Sequence, residues 1–449
     1  MKRCQIFVAV LMALVVFLGC VPAADAFCGF YVSKADARLY NRASQVAIAR
    51  DRDRTILTMA NDYQGSVKDF ALVVPVPVVL QEDQVHVGDP KIVQRLDAFS
   101  APRLVEYYDS DPCALPQRQI LGSTARGAET RGGSRNRRIQ DGLGVTVESR
   151  FTVGEYDILI LSAKESHGLE TWLRRNGYRL PKGAHQLLQP YIRQQMKFFV
   201  AKVNLAEFEK SSTQFLRPLM IAYESPKFML PIRLGMANGT GTQDLIVYLL
   251  SPKGQTEITN YRTVKIPSDA EIPLFVKSEF GDFYKAMFQH TYTREGRKVA
   301  FLEYAWDMAW CDPCAANPLT PEELRQAGVF WLNSSNQPGG ATRPGRRAVA
   351  PNVFLTRLHI RYSRNTFPQD LTFQSTANRQ NFQGRYILRH PFQGEGTCPA
   401  AQRYQQQLKK RQEQEVKTLA QLTGWKINDI RKKAKLDSEQ PERWWQSVW

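Results

Sequence analysis

Two cysteines separated by an aspartate and a proline, Cys311-Asp312-Pro313-Cys314, are the residues whose type and spacing best suit chemistry. A dithiol at this spacing closes into a small disulfide ring, and a helix starting at the first Cys would favour its thiolate. Cys311 is then the candidate nucleophile of a thiol–disulfide exchange, and Cys314 the candidate resolving thiol. The same pair can serve as a structural bond that pins a loop, or, with Cys398 and His390, as part of a metal site. Trp310 before the first Cys and Pro313 before the second match the thioredoxin redox motif. The likeness stops there. Pro318 breaks any helix continuing from the motif, and the capped start Thr320-Pro321-Glu322-Glu323 comes too late to orient Cys311. A structural bond is the leading reading, with a redox pair as the alternative.

Acids and aromatics crowd around the motif: Glu303, Tyr304, Trp306, Asp307, Trp310, Asp312, Phe330 and Trp331. Carboxylates beside aromatic platforms suit sugar binding or glycoside hydrolysis, so Trp306, Trp310, Asp307 and Asp312 are candidate ligand-surface residues. The competing reading is core and rim of a strand. The six His are scattered without metal spacing, and no nucleophile elbow, phosphate loop or zinc-protease motif occurs. No metal and no cofactor is therefore assigned.

The elements that must position these residues are mainly strands. Gln45 to Ala49, Thr55 to Ala60 and Phe70 to Val74 are apolar or β-branched runs between turn residues and predict an antiparallel meander. Asp89-Pro90 caps a helix to about Phe99. Strands follow at Val145 to Phe151 and Glu155 to Leu161, then helices from Ser166 to Trp172 and Ala184 to Gln195. A strand-rich block covers Lys197 to Thr263. Met59-Ala60-Asn61 and Met236-Ala237-Asn238 each precede a polar turn and an acid-led apolar strand, which predicts a repeated hairpin and two related units. The fold class is α+β, with mostly antiparallel sheets and short helices. The first unit is 27–115 with 145–195, interrupted by a Gly- and Arg-rich insertion at 116–144. The second is 196–332. A basic loop at 333–351, closing strands at 352–399 and a tail at 400–449 complete the chain. Tyr404, Leu408, Val416, Leu419 and Leu422 stand at helical spacing and predict a long amphipathic C-terminal helix. That helix could pack on the body, pair with a partner helix, or lie on a membrane with Trp444, Trp445 and Trp449 as anchors.

The first 26 residues read as an export leader: Lys2 and Arg3, an apolar run from Gln5 to Gly19, and Ala24-Asp25-Ala26 before Phe27. An uncleaved anchor and a lipoprotein with acylated Cys20 are weaker alternatives. The expected location is therefore the periplasm or cell envelope, where thiols oxidise. After cleavage Cys28, Cys113, Cys311, Cys314 and Cys398 remain, and a bridge from Cys28 to Cys113 would leave the close pair to itself. No later segment is apolar over the ~20 residues a membrane helix needs.

Composition is that of a globular protein: 449 residues, 43% hydrophobic and 23% charged. The net charge of +17 is concentrated outside the expected core. Residues 116–144 carry six Arg against Glu129 and Asp141, 333–351 carry three Arg and no acid, and 400–449 carry eleven Lys or Arg against six acids. This layout argues against nucleic-acid binding; the basic segments read first as solvated linkers and a solvated helix face, with contact to an anionic envelope component or another envelope protein as the alternative.

Several segments together carry a resemblance. They include Phe27-Cys28-Gly29-Phe30-Tyr31-Val32, Thr58-Met59-Ala60-Asn61-Asp62-Tyr63, Ala71-Leu72-Val73-Val74-Pro75-Val76-Pro77 and Ser100-Ala101-Pro102-Arg103-Leu104-Val105-Glu106-Tyr107. Gly154-Glu155-Tyr156-Asp157-Ile158-Leu159-Ile160-Leu161-Ser162, Tyr223-Glu224-Ser225-Pro226-Lys227-Phe228 and the Cys-Asp-Pro-Cys segment complete it. From about Phe27 to Pro399 the chain resembles the exported bacterial family catalogued as domain of unknown function 2330. The resemblance implies export and makes Cys28, Cys113, Cys311 and Cys314 part of a shared pattern; it implies no reaction. A non-catalytic, disulfide-stabilised binding or scaffolding protein is the expectation. An oxidoreductase or a carbohydrate-active protein is the alternative.

Overall fold

The computed structural model describes residues 30–33, 40–41, 44–60, 63–64, 70–114, 145–176, 184–210, 216–237, 241–310, 317–334, 351–394 and 397–436. The chain opens with β1 (Phe30–Ser33), β2 (Ser44–Asp51), β3 (Arg54–Ala60), β4 (Phe70–Val76) and β5 (Val85–Val87). Helix α1 (Pro90–Ser100) follows, begun by Asp89, whose carboxylate accepts from Lys91 N at N2. Next come β6 (Arg103–Tyr108), β7 (Val145–Val153), β8 (Tyr156–Ala163), α2 (Ser166–Arg175), α3 (Ala184–Arg193) and β9 (Lys197–Val203). The second half contains β10 (Leu219–Glu224), β11 (Gln243–Ser251), β12 (Arg262–Lys265), β13 (Ala270–Glu271), α4 (Phe280–Arg294) and β14 (Val299–Asp307). It ends with α5 (Pro321–Gln326), β15 (Phe354–Tyr362), β16 (Phe382–Gln383), β17 (Arg385–His390), α6 (Pro399–Thr423) and α7 (Ile427–Lys433). This is the α+β class read from the sequence.

Two large sheets face each other. One runs β1-β4-β9-β8-β7; the other runs β12-β14-β15-β11-β2-β3-β10-β5, with β16 also on β14. Residues at period two from both sheets fill the space between them, among them Val46, Ile48, Val247, Leu249, Leu358 and Ile360 from one and Leu72, Val74, Ile158 and Phe199 from the other. The opposite faces are covered by helices. Helices α2 and α3 lay Leu169, Leu173, Leu188 and Tyr191 on Val73, Phe198 and Val200. Helix α1 lays Ile92, Leu96 and Phe99 on Ala47, Tyr248 and Leu355, while α4 lays Phe283, Met287 and Phe288 near Val299 and Phe301. The central strands are buried on both faces, hence their unbroken apolar runs; each fully buried Val, Leu or Ile stabilises by about 1.5–3 kcal/mol.

The pairing departs from the expected meander after its second strand. β2 and β3 form the hairpin, but β4 leaves for the other sheet, where it pairs with β9 (Val200↔Val73). The strands flanking Met59-Ala60 do not pair with each other, since β3 lies between β2 and β10 while β4 pairs with β9. Met236 and Ala237 lie in a short 3-10 turn; Asn61 and Asn238 lie outside the described residues. The parallel pairing of β11 with β2 (Leu245↔Ser44) ties the two halves of the chain into one sheet.

A smaller parallel sheet, β13-β17-β6, controls the disulfide. β6 and β17 run side by side to Tyr108↔His390, and Asp109 N still donates to His390 O. The segments leaving these strands therefore stay adjacent, and Cys113 bonds to Cys398, not to Cys28 as expected. Cys398 is thereby removed from any metal set, and His390 Nε2 lies 2.7 Å from Glu106 Oε2. Cys28 lies outside the described residues.

The C-terminal helix forms as expected and packs on the body. Val416 and Leu419 of α6 and Ile430 of α7 enter the apolar cluster of Phe283, Met287 and Tyr292. Trp444, Trp445 and Trp449 lie outside the described residues. No described helix is long and apolar enough to cross a membrane.

Candidate functional site

One end of the nine-stranded sheet gathers the residues of interest. β2, β11 and β14 finish there and β15 begins there, as the pairs Ala49↔Leu250, Ser251↔Phe354 and Asp307↔Phe354 require. Trp306 is half-buried, packs near Tyr304 and donates from Nε1 to Trp310 O at 3.1 Å. Trp310 is 45% exposed. Asp307 is buried and committed: Arg379 donates to its Oδ2 from Nε at 3.0 Å and Nη2 at 2.8 Å, and Ala309 N donates to its Oδ1. Asp307 is thus a pinning carboxylate, while Trp310 alone of the three offers an open face. Cys311, Asp312 and Cys314 lie outside the described residues.

Arg379 also reaches across the sheet end. Its Nη1 donates to Pro252 O at 3.1 Å and Lys253 O at 2.9 Å. This fixes the loop after β11, which forms one wall of a cavity of about 230 Å³. Arg50, Asp51 and Arg52 at the β2–β3 turn supply another wall, with Phe228 and Phe373 beside them. The exposed tryptophan and the cationic cavity are linked through one arginine.

A second constellation is internal. It lies on the helix-facing side of the same sheet, between α1 and α4. The pairing of β14 with β15 slips between Leu302 and Tyr304, so Glu303 is an extra residue in the strand and turns toward Arg357 and His359. Arg357 donates from Nε to Glu303 Oε2 at 2.6 Å and from Nη1 to Asp97 Oδ1 at 2.6 Å. His359 Nδ1 lies 2.8 Å from Glu303 Oε1, its Nε2 lies 3.4 Å from Asp244 Oδ1, and Phe288 stacks on its ring at 4.0 Å. Arg361 forks onto both oxygens of Asp244 at 2.8 and 2.7 Å. The Tyr284 hydroxyl donates to Glu303, and the Tyr248 hydroxyl to Asp97.

The charges answer one another. Burial by itself would raise Glu303, but Arg357 and His359 hold it at about 2. Burial by itself would lower His359, yet Glu303 and Asp244 lift it above the usual histidine value. Asp244 is held well below the carboxylate range by His359 and Arg361 against the cost of burial. Every strong donor here has an internal acceptor, so the cluster's work is to join α1, α4, β11, β14 and β15. Sequence reasoning passed it by. The signal was in β15, where Arg357, His359 and Arg361 alternate with Leu358 and Ile360: three cations on one face of an apolar strand require buried acids.

No curated protein and no solved structure matches the chain. The sequence model of the family described as "Uncharacterized protein conserved in bacteria (DUF2330)" matches residues 22–374. With that match over most of its length, the chain belongs to this family.

Proposed function

We propose that this is an exported cell-envelope protein that works by binding or scaffolding and is held together by a disulfide. The observation that carries the reading is the Cys113–Cys398 bond, which joins residues 285 apart. Bonds of this kind persist outside the reducing cytoplasm, and the leader-like first 26 residues point the same way. Support for binding over catalysis comes from the acids: Glu303, Asp244 and Asp307 are each taken up by an arginine. The basic insertion, loop and tail suit an anionic envelope component as partner.

Fractionation of cells expressing the full gene tests the location. The mature amino terminus is expected at Phe27 in the extracytoplasmic fraction, with faster non-reducing migration that Cys398→Ser abolishes. An intact chain in the cytosol with Cys113 and Cys398 reduced would sink the proposal. Crosslinking in the native compartment, followed by identification of the captured species, tests the binding role.

Carbohydrate binding is a second reading, favoured by the exposed Trp310 beside half-buried Trp306. Unchanged retention of Trp310→Ala on immobilised envelope polysaccharide, relative to the parent protein, would remove it.

A further inference from the structure

Two buried arginines of the nine-stranded sheet differ in how their charge is met. Arg357 has Glu303 and Asp97 at hydrogen-bond distance. Arg50, only 6% exposed, donates to neutral acceptors: Nη1 to Thr55 Oγ1 at 2.7 Å and Nη2 to Ser225 O at 2.9 Å. Its acidic neighbour, Asp53, stands 3.5 Å away with a side chain 68% exposed, so solvent screens that charge. Burial accordingly pushes the Arg50 pKa down, and Tyr223 and Asp53 only partly offset it. Arg50 carries a positive charge in a low-dielectric place without a buried counter-charge among the described residues.

Arg50 also lines the cavity at the sheet end, between Phe228, whose ring lies 4.6 Å from its guanidinium carbon, and the Arg52 turn. Arg52 holds φ at 54°, a left-handed conformation that L-residues disfavour. Across the opening, Lys253 stands on the loop clamped by Arg379. Three cations thus line the cavity against one acid, Asp51, and the aromatic walls of Phe228 and Phe373 strengthen the field inside. Guanidinium groups with such backing suit the oxygens of a phosphate.

We propose that this cavity is a binding site for a phosphate-type oxyanion, with Arg50 as its floor and Arg52 and Lys253 as its rim. The site names a ligand chemistry for the binding role above but does not depend on export, so cell fractionation and ligand titration can fail separately. The phosphate could be a free ion or the headgroup of a lipid, which share the oxygens the arginines would hold.

The test uses the full mature protein with its disulfide intact. Inorganic phosphate is titrated by calorimetry, and sedimentation is measured with phosphatidylglycerol and phosphatidylcholine vesicles. One phosphate is expected to bind per chain. Arg52→Gln and Lys253→Gln should each weaken binding about tenfold, as for loss of one charge-assisted hydrogen bond. Lys91→Gln on α1 and Lys285→Gln on α4, exposed lysines outside the cavity and the basic tail, should leave binding unchanged. Binding only to phosphatidylglycerol vesicles, lost in the two rim variants, would support the site with a lipid headgroup as its ligand. Absence of binding to either probe, or equal weakening by the rim variants and the Lys91 and Lys285 variants, would overturn it. Arg50→Lys tests the floor wherever it retains the parent melting temperature; the rim variants decide if it does not fold.

Discussion

Arg357 and Glu303 form an ion pair sealed inside the protein, with Nε 2.6 Å from Oε2 and Glu303 without exposed surface. Removing one partner of such a pair leaves the other charge buried, which costs about 3–5 kcal/mol. Glu303→Gln is therefore expected to lower unfolding free energy by an amount in that range, read by urea denaturation. Glu303→Gln combined with Arg357→Met should cost less than the two single changes added together. Strict additivity would show that the pair does not act as a unit.

The caps and apolar runs of this fold were legible because they are local. Asp89-Pro90 and Thr320-Pro321-Glu322-Glu323 carry their helix starts in adjacent residues. Other features depend on strands far apart in sequence. The expected Cys28–Cys113 bridge failed because Cys113 is placed by the parallel pairing of β6 with β17, which no spacing rule reveals. Asp307 stood out beside the tryptophans, but its partner Arg379 lies 72 residues away, so its buried role was invisible. The Glu303 bulge was likewise hidden, since it exists only relative to the register of β15.

The Cys113–Cys398 bond crosses from the end of β6 to the start of α6, so it restrains the tail as well as the long chain between. Cys398→Ser is expected to reduce stability by about 2–5 kcal/mol. Hydrogen exchange should show the largest gain in the first turns of α6, where Tyr404 still donates to Asp109 and Arg411 forks onto it. Unchanged exchange there would mean that these polar contacts hold the helix without the bond.

The docked tail should loosen as pH rises. Glu415 of α6 is buried, and its Oε1 has no hydrogen-bond partner among the described residues although Arg411 Nε lies 3.3 Å away. Burial pushes its pKa up to about 7; Arg411 and Arg389 pull it down, while Glu271 and Asp109 raise it. A carboxyl raised on folding favours the docked state below its unfolded value near 4.5, and that contribution is lost as pH rises through about 7. The difference is on the order of 3 kcal/mol. Glu415→Gln should flatten the pH dependence of α6 exchange between about pH 5 and 8 and protect the helix at pH 8. Glu303, held at about 2, acts in the opposite direction: its contribution is present above about 4.5 and lost as acid approaches 2. An exchange profile of α6 that stays level from pH 5 to 8 in the parent protein would refute the Glu415 role.

Arg379 holds the two halves of the candidate site together, one side of its guanidinium on Asp307 and the other on the carbonyls of Pro252 and Lys253. Arg379→Met keeps much of the side-chain volume but removes every donor, leaving Asp307 buried beside Ala309 N without its cation. The expected loss of stability is about 2–4 kcal/mol, measured by thermal denaturation. Double replacement with Asp307→Asn should recover part of it, because the uncompensated charge is then gone. The local consequence separates this role from general weakening: amides of residues 251–254 should exchange faster than those of the α1 core at matched stability. Lys253 would lose its fixed position with them, so phosphate binding should weaken even though Arg379 does not line the cavity. Equal exchange in the two regions would show that the loop is held by other contacts and that Arg379 serves Asp307 alone.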